Sequence, residues 1–173
     1  LKKKFKKESI IVENITLGSE NKDGFLKQID ESSSSTLNDI NIKSKYFKRK
    51  QSLVYNQKKK LFFNEIKIKI KTLEDYINKN NINAVHFMKI DTEGYEYEIL
   101  KGLGKKFNKV KLIMFEHHYH DMLQKGYTFS DIHKLLLENN FTQIFKAKMP
   151  FRKTFEYVYV NKGKVWTILK HQC

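Results

Sequence analysis

The run Val110-Lys111-Leu112-Ile113-Met114-Phe115 leaves the chain few options. It places apolar side chains on both faces of an extended strand and stops abruptly at Glu116, His117, His118, Tyr119 and His120. A strand apolar on both faces belongs inside a sheet covered on both sides, which is the setting of central parallel strands. Ala84 to Ile90 repeats the pattern, ending in Asp91, and after Gly94 the spacing of Tyr95, Ile99, Leu100 and Leu103 predicts a helix closed near Gly102 to Gly104. Upstream, Ile66, Ile68 and Ile70 alternate with Lys67, Lys69 and Lys71, the period of a half-buried strand. Thr72 with Asp75 then predicts a capped helix from Leu73 to about Lys79. Downstream, Thr128 with Asp131 predicts a second capped helix, with Ile132, Leu135, Leu136 and Leu137 toward the sheet. Phe141 to Phe145 and Phe155 to Val160 read as closing strands around a basic loop that holds Pro150 and Arg152. Strands alternating with helices and ending in paired strands predict an α/β sheet with mixed ends.

The N-terminal part is less regular. Ser9 to Leu17 is β-rich, Gly18 to Gly24 is a polar turn, and Phe25 to Ile29 reads as a hairpin arm. Ser32 to Ser35 reads as a loop, and residues 37–64 as an irregular basic insertion. One domain over residues 1–162, with a tail at 163–173, is the expected organisation for 173 residues.

A net charge of +15 raises the question of a polyanionic partner. Arg49 and Arg152 are the only arginines, and the lysines are scattered through every segment. Phosphate and base recognition favour the guanidinium fork, so nucleic acid is not expected as a partner. The single cysteine, Cys173, excludes an intramolecular disulfide framework and a cysteine-rich zinc site, which suits a reducing cytoplasm. No apolar run is long enough to span a bilayer, so no transmembrane segment is expected.

In open α/β sheets ligands bind beyond the carboxyl ends of the strands, where loops and helix N-termini converge. Two strand ends here are unusually polar: Lys89 to Glu93, and Glu116 to His118. If the two strands are neighbours, about 5 Å apart, their carboxylates share one pocket. Two acids and an imidazole suffice for proton chemistry. His117, His118, His120 and Asp121 could suggest a metal, but residues along a strand alternate faces and only part of the set can converge, so no metal is assigned.

KIKTLEDYI, then FMKIDTEGYEYEILKGL, then LIMFEHH together resemble the FkbM family of methyltransferases, with ENITLGSENKDG and SSSSTL matching its weaker upstream pattern. Thr92 stands where valine is more usual. The resemblance covers most of Ser9 to Glu116 and implies a partial Rossmann-like class I methyltransferase sheet, parallel strands followed by an antiparallel edge strand. It implies S-adenosylmethionine as cofactor and a hydroxyl acceptor on a sugar, glycolipid or other small molecule. Carried onto this chain, Asp91 would orient the acceptor hydroxyl or the cofactor, with Glu93, Glu116 and Lys89 beside it. His117 would be the base, because an imidazole titrates near working pH. Asn14, Ile15, Thr16 and Leu17, with Asp91, would approach the cofactor.

The same resemblance implies a glycine-rich cofactor turn and two strands upstream of Ser9. Gly102 and Gly104 end a helix and cannot serve as that turn. These residues alone are therefore expected to leave an uncovered sheet edge and to bind cofactor weakly. The competing expectation is a basic polyanion-binding module on a degenerate methyltransferase fold.

Overall fold

The computed structural model describes residues 10–29, 35–54, 63–150 and 152–163. In chain order these form β1 (Thr16–Leu17), β2 (Lys22–Ile29), β3 (Asp39–Ile40), α1 (Lys45–Val54), β4 (Phe63–Lys71), α2 (Leu73–Lys79) and β5 (Val85–Ile90). They continue as α3 (Glu96–Lys101), a 3-10 helix (Gly104–Lys109), β6 (Val110–His118), β7 (Leu123–Gln124), α4 (Phe129–Glu138), β8 (Phe141–Lys148) and β9 (Thr154–Asn161).

The result is a mixed α/β fold whose strands lie in three ladders: β1-β4-β2, β3-β7 and β5-β6-β9-β8. β5 and β6 run parallel, as the two apolar runs predict, whereas β9 lies antiparallel to both β6 and β8. The covered face of the four-stranded sheet packs against α2, α3, α4 and the 3-10 helix. There Ile113, Phe115, Tyr157 and Tyr159 are fully buried with Leu100, Leu103, Ile132 and Leu136. On the other face Phe87 and Phe145 are exposed, and β5 is an edge strand among the described residues.

Both predicted helix starts are present. Thr72 accepts from the Asp75 amide at 3.1 Å, while the Thr72 amide donates not to Asp75 but to Asn21 Oδ1 at 3.2 Å. Asp131 accepts from both the amide and the hydroxyl of Thr128 at 2.7 Å. Leu137, expected toward the sheet, is exposed, because it lies about 100° around the helix from the buried Leu136.

The N-terminal expectations need correction. Of the proposed strand from Ser9 to Leu17, only Thr16 and Leu17 pair, parallel to Ile70 and Lys71, and Ser9 lies outside the described residues. The arm at Phe25 to Ile29 begins earlier, at Lys22, and pairs antiparallel with β4 from Phe63 to Ile70. In β4 only the Ile70 end is buried and Ile66 is exposed, so the strict alternation marks a ladder that outruns the body of the protein. Within the basic insertion, whose residues 55–62 lie outside the described residues, Ser44 accepts from the Phe47 amide at 3.0 Å and opens α1 where irregular chain is expected. Phe47 then packs with Met122 and Leu123 in a small second core. The lysines of α1 mask a helix anchored by Phe47 and by Tyr46, which stacks on His120.

Two glycines tie the ladders together. Gly18 donates to Lys71 O at 2.9 Å, and Gly102 O accepts from the Glu74 amide at 2.8 Å. A Cβ on Gly102 would stand 2.1 Å from Gly18 O, a backbone atom with no room to retreat. Gly102→Ala is therefore expected to cost roughly 2–3 kcal/mol, measured as a lower urea midpoint at unchanged slope; an unshifted midpoint contradicts the contact.

Candidate functional site

Ile90 stands opposite Phe115 across the parallel pair, so Asp91, just past the end of β5, lies beside Glu116, which is still within β6. Side chains alternate along each strand. Lys89 and Met114, and Asp91 and Glu116, therefore point to the face away from the helices, together with Glu156, which pairs with Glu116 on β9. Lys89 Nζ lies 3.2 Å from Asp91 Oδ2, and both side chains are roughly half exposed. That hydrogen bond raises the Lys89 ammonium above its ordinary range. Glu116 is 8% exposed, and its carboxyl is raised above the ordinary carboxylate range, first by burial and then by the charge of Asp91.

His117 departs from its expected role. It points to the opposite, helix-covered face, where its ring meets Tyr119, Tyr127 and Phe129. It is 2% exposed, and Lys125 Nζ lies 3.4 Å from its Nε2. Burial, followed by the charge of Lys125, pushes the imidazole down to about 3. Such a ring stays neutral at working pH and is a weak base, and the sheet separates it from Asp91. His118 takes the site face instead, with Nε2 3.4 Å from Glu93 Oε2. Burial also lowers the Lys125 ammonium, which donates to His118 O.

The turn from Asp91 to Gly94 is held in an uncommon shape, with φ of 49° at Glu93 and 93° at Gly94. A side chain at Gly94 would collide with Leu123 and Asn38, so glycine is required there. Glu93 costs energy in this conformation, and neighbouring groups hold it in place. Thr36 Oγ1 donates to Glu93 O at 3.0 Å, and Asn38 Nδ2 to Gly94 O at 2.6 Å. Beneath the turn lies Glu96, fully buried. Its Oε1 accepts from the Gly94 amide at 2.8 Å and the Thr92 hydroxyl at 3.3 Å. The Tyr127 hydroxyl sits 2.7 Å from Glu96 Oε2 and 2.9 Å from Gly94 O, and its one proton serves both.

Ile15, Thr16 and Leu17 border a hollow of about 260 Å³ whose wall also includes Leu37, Asp91, Thr92 and Tyr95. Asn14 does not border it. The hollow is smaller than a complete small-molecule site, and its apolar walls with one acid suit part of an uncharged or cationic ligand. Among the described residues no three His, Cys, Asp or Glu side chains converge to hold a metal, and no helix is long and apolar enough to cross a membrane.

The structure thus unites Lys89, Asp91, Glu93 and Glu116 and sets His117 apart. Sequence reasoning missed Thr36, Asn38, Glu96, Tyr127 and Glu156. Glu96 reads as an ordinary acid in the first turn of a helix, and nothing near Tyr127 indicates that it meets a turn 33 residues away. A family model described as the methyltransferase FkbM domain matches residues 2–142. No curated protein and no solved structure gives a significant match.

Proposed function

Since this chain belongs to the FkbM methyltransferase family, we propose that it acts in S-adenosylmethionine-dependent O-methylation of a sugar, glycolipid or other small-molecule hydroxyl on a Rossmann-like sheet. The observation that carries the reading is the pair Asp91 and Glu116, side by side at adjacent parallel strands beside the hollow that Ile15 to Leu17 border. S-adenosylmethionine, when bound, supplies a methyl group on a positively charged sulfur. Ile15, Leu17 and Tyr95 offer it an apolar wall, and Asp91 a carboxylate suited to its charge or its hydroxyls.

Asp91 orients the acceptor hydroxyl, and Glu93 and Lys89 set the direction of that carboxylate. The hydroxyl oxygen forms the new bond to the methyl carbon as the carbon–sulfur bond breaks, and its proton must go to a nearby base. Glu116 suits that role better than His117. It shares the face of Asp91, and a carboxylate whose proton affinity is raised by burial is the better acceptor near neutral pH. Alignment supplies most of the remaining acceleration.

The test uses the complete gene product, methyl-labelled S-adenosylmethionine and a panel of hydroxyl compounds. Asp91→Ala should lower label transfer at least about a hundredfold with the melting temperature preserved. Equal transfer by the variant removes Asp91 from the mechanism. Absence of transfer to any hydroxyl compound removes the O-methylation reading.

A further inference from the structure

A second hollow, of about 640 Å³, is bounded by β1, β2, β4 and α2 and shares only Ile15 with the one beside Asp91. Small-molecule sites occupy about 300–1,000 Å³, so this one has room for a whole ligand. Its rim is tied together. Asn21 Oδ1 accepts from the Thr72 amide at 3.2 Å, and Asn21 Nδ2 donates to Asp75 at 2.5 Å. Ile15 and the buried Ile70 give it an apolar lining. The charged side chains around it are unequally matched. Each acid is engaged: Asp75 with Asn21, Asp23 with Lys67 at 3.2 Å, and Glu13 with the Tyr76 hydroxyl at 3.5 Å. Lys22 has Glu20 at 2.7 Å, whereas Lys69, Lys71 and Lys79 make no ion pair among the described residues. Lys69 and Lys71 are two apart on β4 and so project to one side, and Lys79 comes from the last turn of α2. Like charges that share a concave wall attract an anion into it.

We propose that this hollow is a second ligand site, for a small phosphate monoester with a ring-bearing body, and that it is independent of methyl transfer at Asp91. The phosphate lies among Lys69, Lys71 and Lys79, and the ring lies against Ile15 and Ile70. Lysine binds phosphate as a point charge, without the fixed geometry of a guanidinium. Charge therefore supplies the affinity, and the hollow selects for size. A monoester carries about −1.5 to −2 at neutral pH, which answers three lysines better than a single carboxylate does. Glu13, Asp23 and Asp75 confine the phosphate to the lysine side and work against a longer polyanion.

Uridine monophosphate, uridine and inorganic phosphate are the probes, titrated by NMR into the complete protein at about 0.15 M salt, which screens exposed charges beyond roughly 8 Å. Uridine monophosphate should bind at least about tenfold tighter than either uridine or phosphate and should shift the Ile15 and Ile70 methyl signals. Lys69→Gln with Lys79→Gln should weaken it at least about tenfold. Lys43→Gln with Lys105→Gln removes the same charge away from the hollow and should change its affinity less than about twofold. All four lysines are exposed, so both double variants should keep the wild-type melting temperature. Four results overturn the proposal: no binding of uridine monophosphate, equal binding of uridine, equal losses in the two double variants, or displacement of uridine monophosphate by S-adenosylmethionine. Equal losses would mean attraction to net charge alone, and displacement would mean that the probe occupies the hollow beside Asp91. Binding of S-adenosylmethionine is scored separately, so the methyltransferase reading can fail while this site stands.

Discussion

Acidification from pH 6.5 to pH 3 should remove up to about 4–5 kcal/mol of folding stability through His117 alone. The folded imidazole titrates at about 3, because burial and the neighbouring Lys125 oppose its charge, against 6.5 for the unfolded ring. Below pH 6.5 the unfolded chain binds a proton that the folded chain refuses, so protons favour unfolding. The stabilisation is complete above the unfolded value and drains away as pH falls toward the folded one. Its steepest slope is about 1.4 kcal/mol per pH unit, the worth of one proton. His117→Leu removes the titrating group, so the acid limb of its urea-midpoint profile should be shallower than that of the wild type by this amount. Parallel acid limbs would mean that the folded protein accepts the proton and that His117 is not enclosed as described.

Glu96→Ala should be the most damaging substitution near the candidate site, at roughly 2–4 kcal/mol. The buried side chain of Glu96 accepts from the Gly94 amide, the Thr92 hydroxyl and the Tyr127 hydroxyl; truncation strands the buried Gly94 amide, while Tyr127 keeps Gly94 O and Thr92 borders the hollow. The turn they support is also where Glu93 adopts positive φ, so losing the anchor releases the Asp91 corner as well as the core. Tyr127→Phe is the milder comparison. It removes one donor and leaves the Gly94 amide bonded, so about 1–2 kcal/mol is expected. The order of the two variants in urea denaturation checks the account, and a Glu96→Ala variant no less stable than Tyr127→Phe contradicts it.

What the sequence by itself determined was local and periodic. The apolar run before Glu116 announces an interior strand because a side chain alternates faces every residue and both faces need cover, whereas the similar run before Asp91 forms an edge strand among the described residues, with Phe87 exposed. Thr72 and Thr128 mark helix starts because a hydroxyl or a carboxylate three residues on can reach an unpaired amide, a contact decided within one turn. The sequence left the adjacency of Asp91 and Glu116 conditional on their strands being neighbours, a condition that the parallel pairing of β5 with β6 meets.

Only the tertiary structure decided which face each polar side chain takes and what meets it there. Glu116 and His117 are neighbours in sequence yet occupy opposite faces, and the register that sends one to Asp91 and the other into an aromatic enclosure is set by the hydrogen bonds of β6 with β5 and β9. Glu96 meets Tyr127, and Thr36 and Asn38 meet the Asp91 turn, through chain separations of 31 to 57 residues. α1 was hidden for the same reason: lysines and an arginine crowd the apolar stripe of Tyr46, Phe47, Leu53 and Val54, and its anchor, Phe47, acquires meaning only against Met122 and Leu123. Periodicity reports what a segment needs to bury, whereas the partner that buries it is chosen by closing loops whose entropy cost rises only with the logarithm of their length.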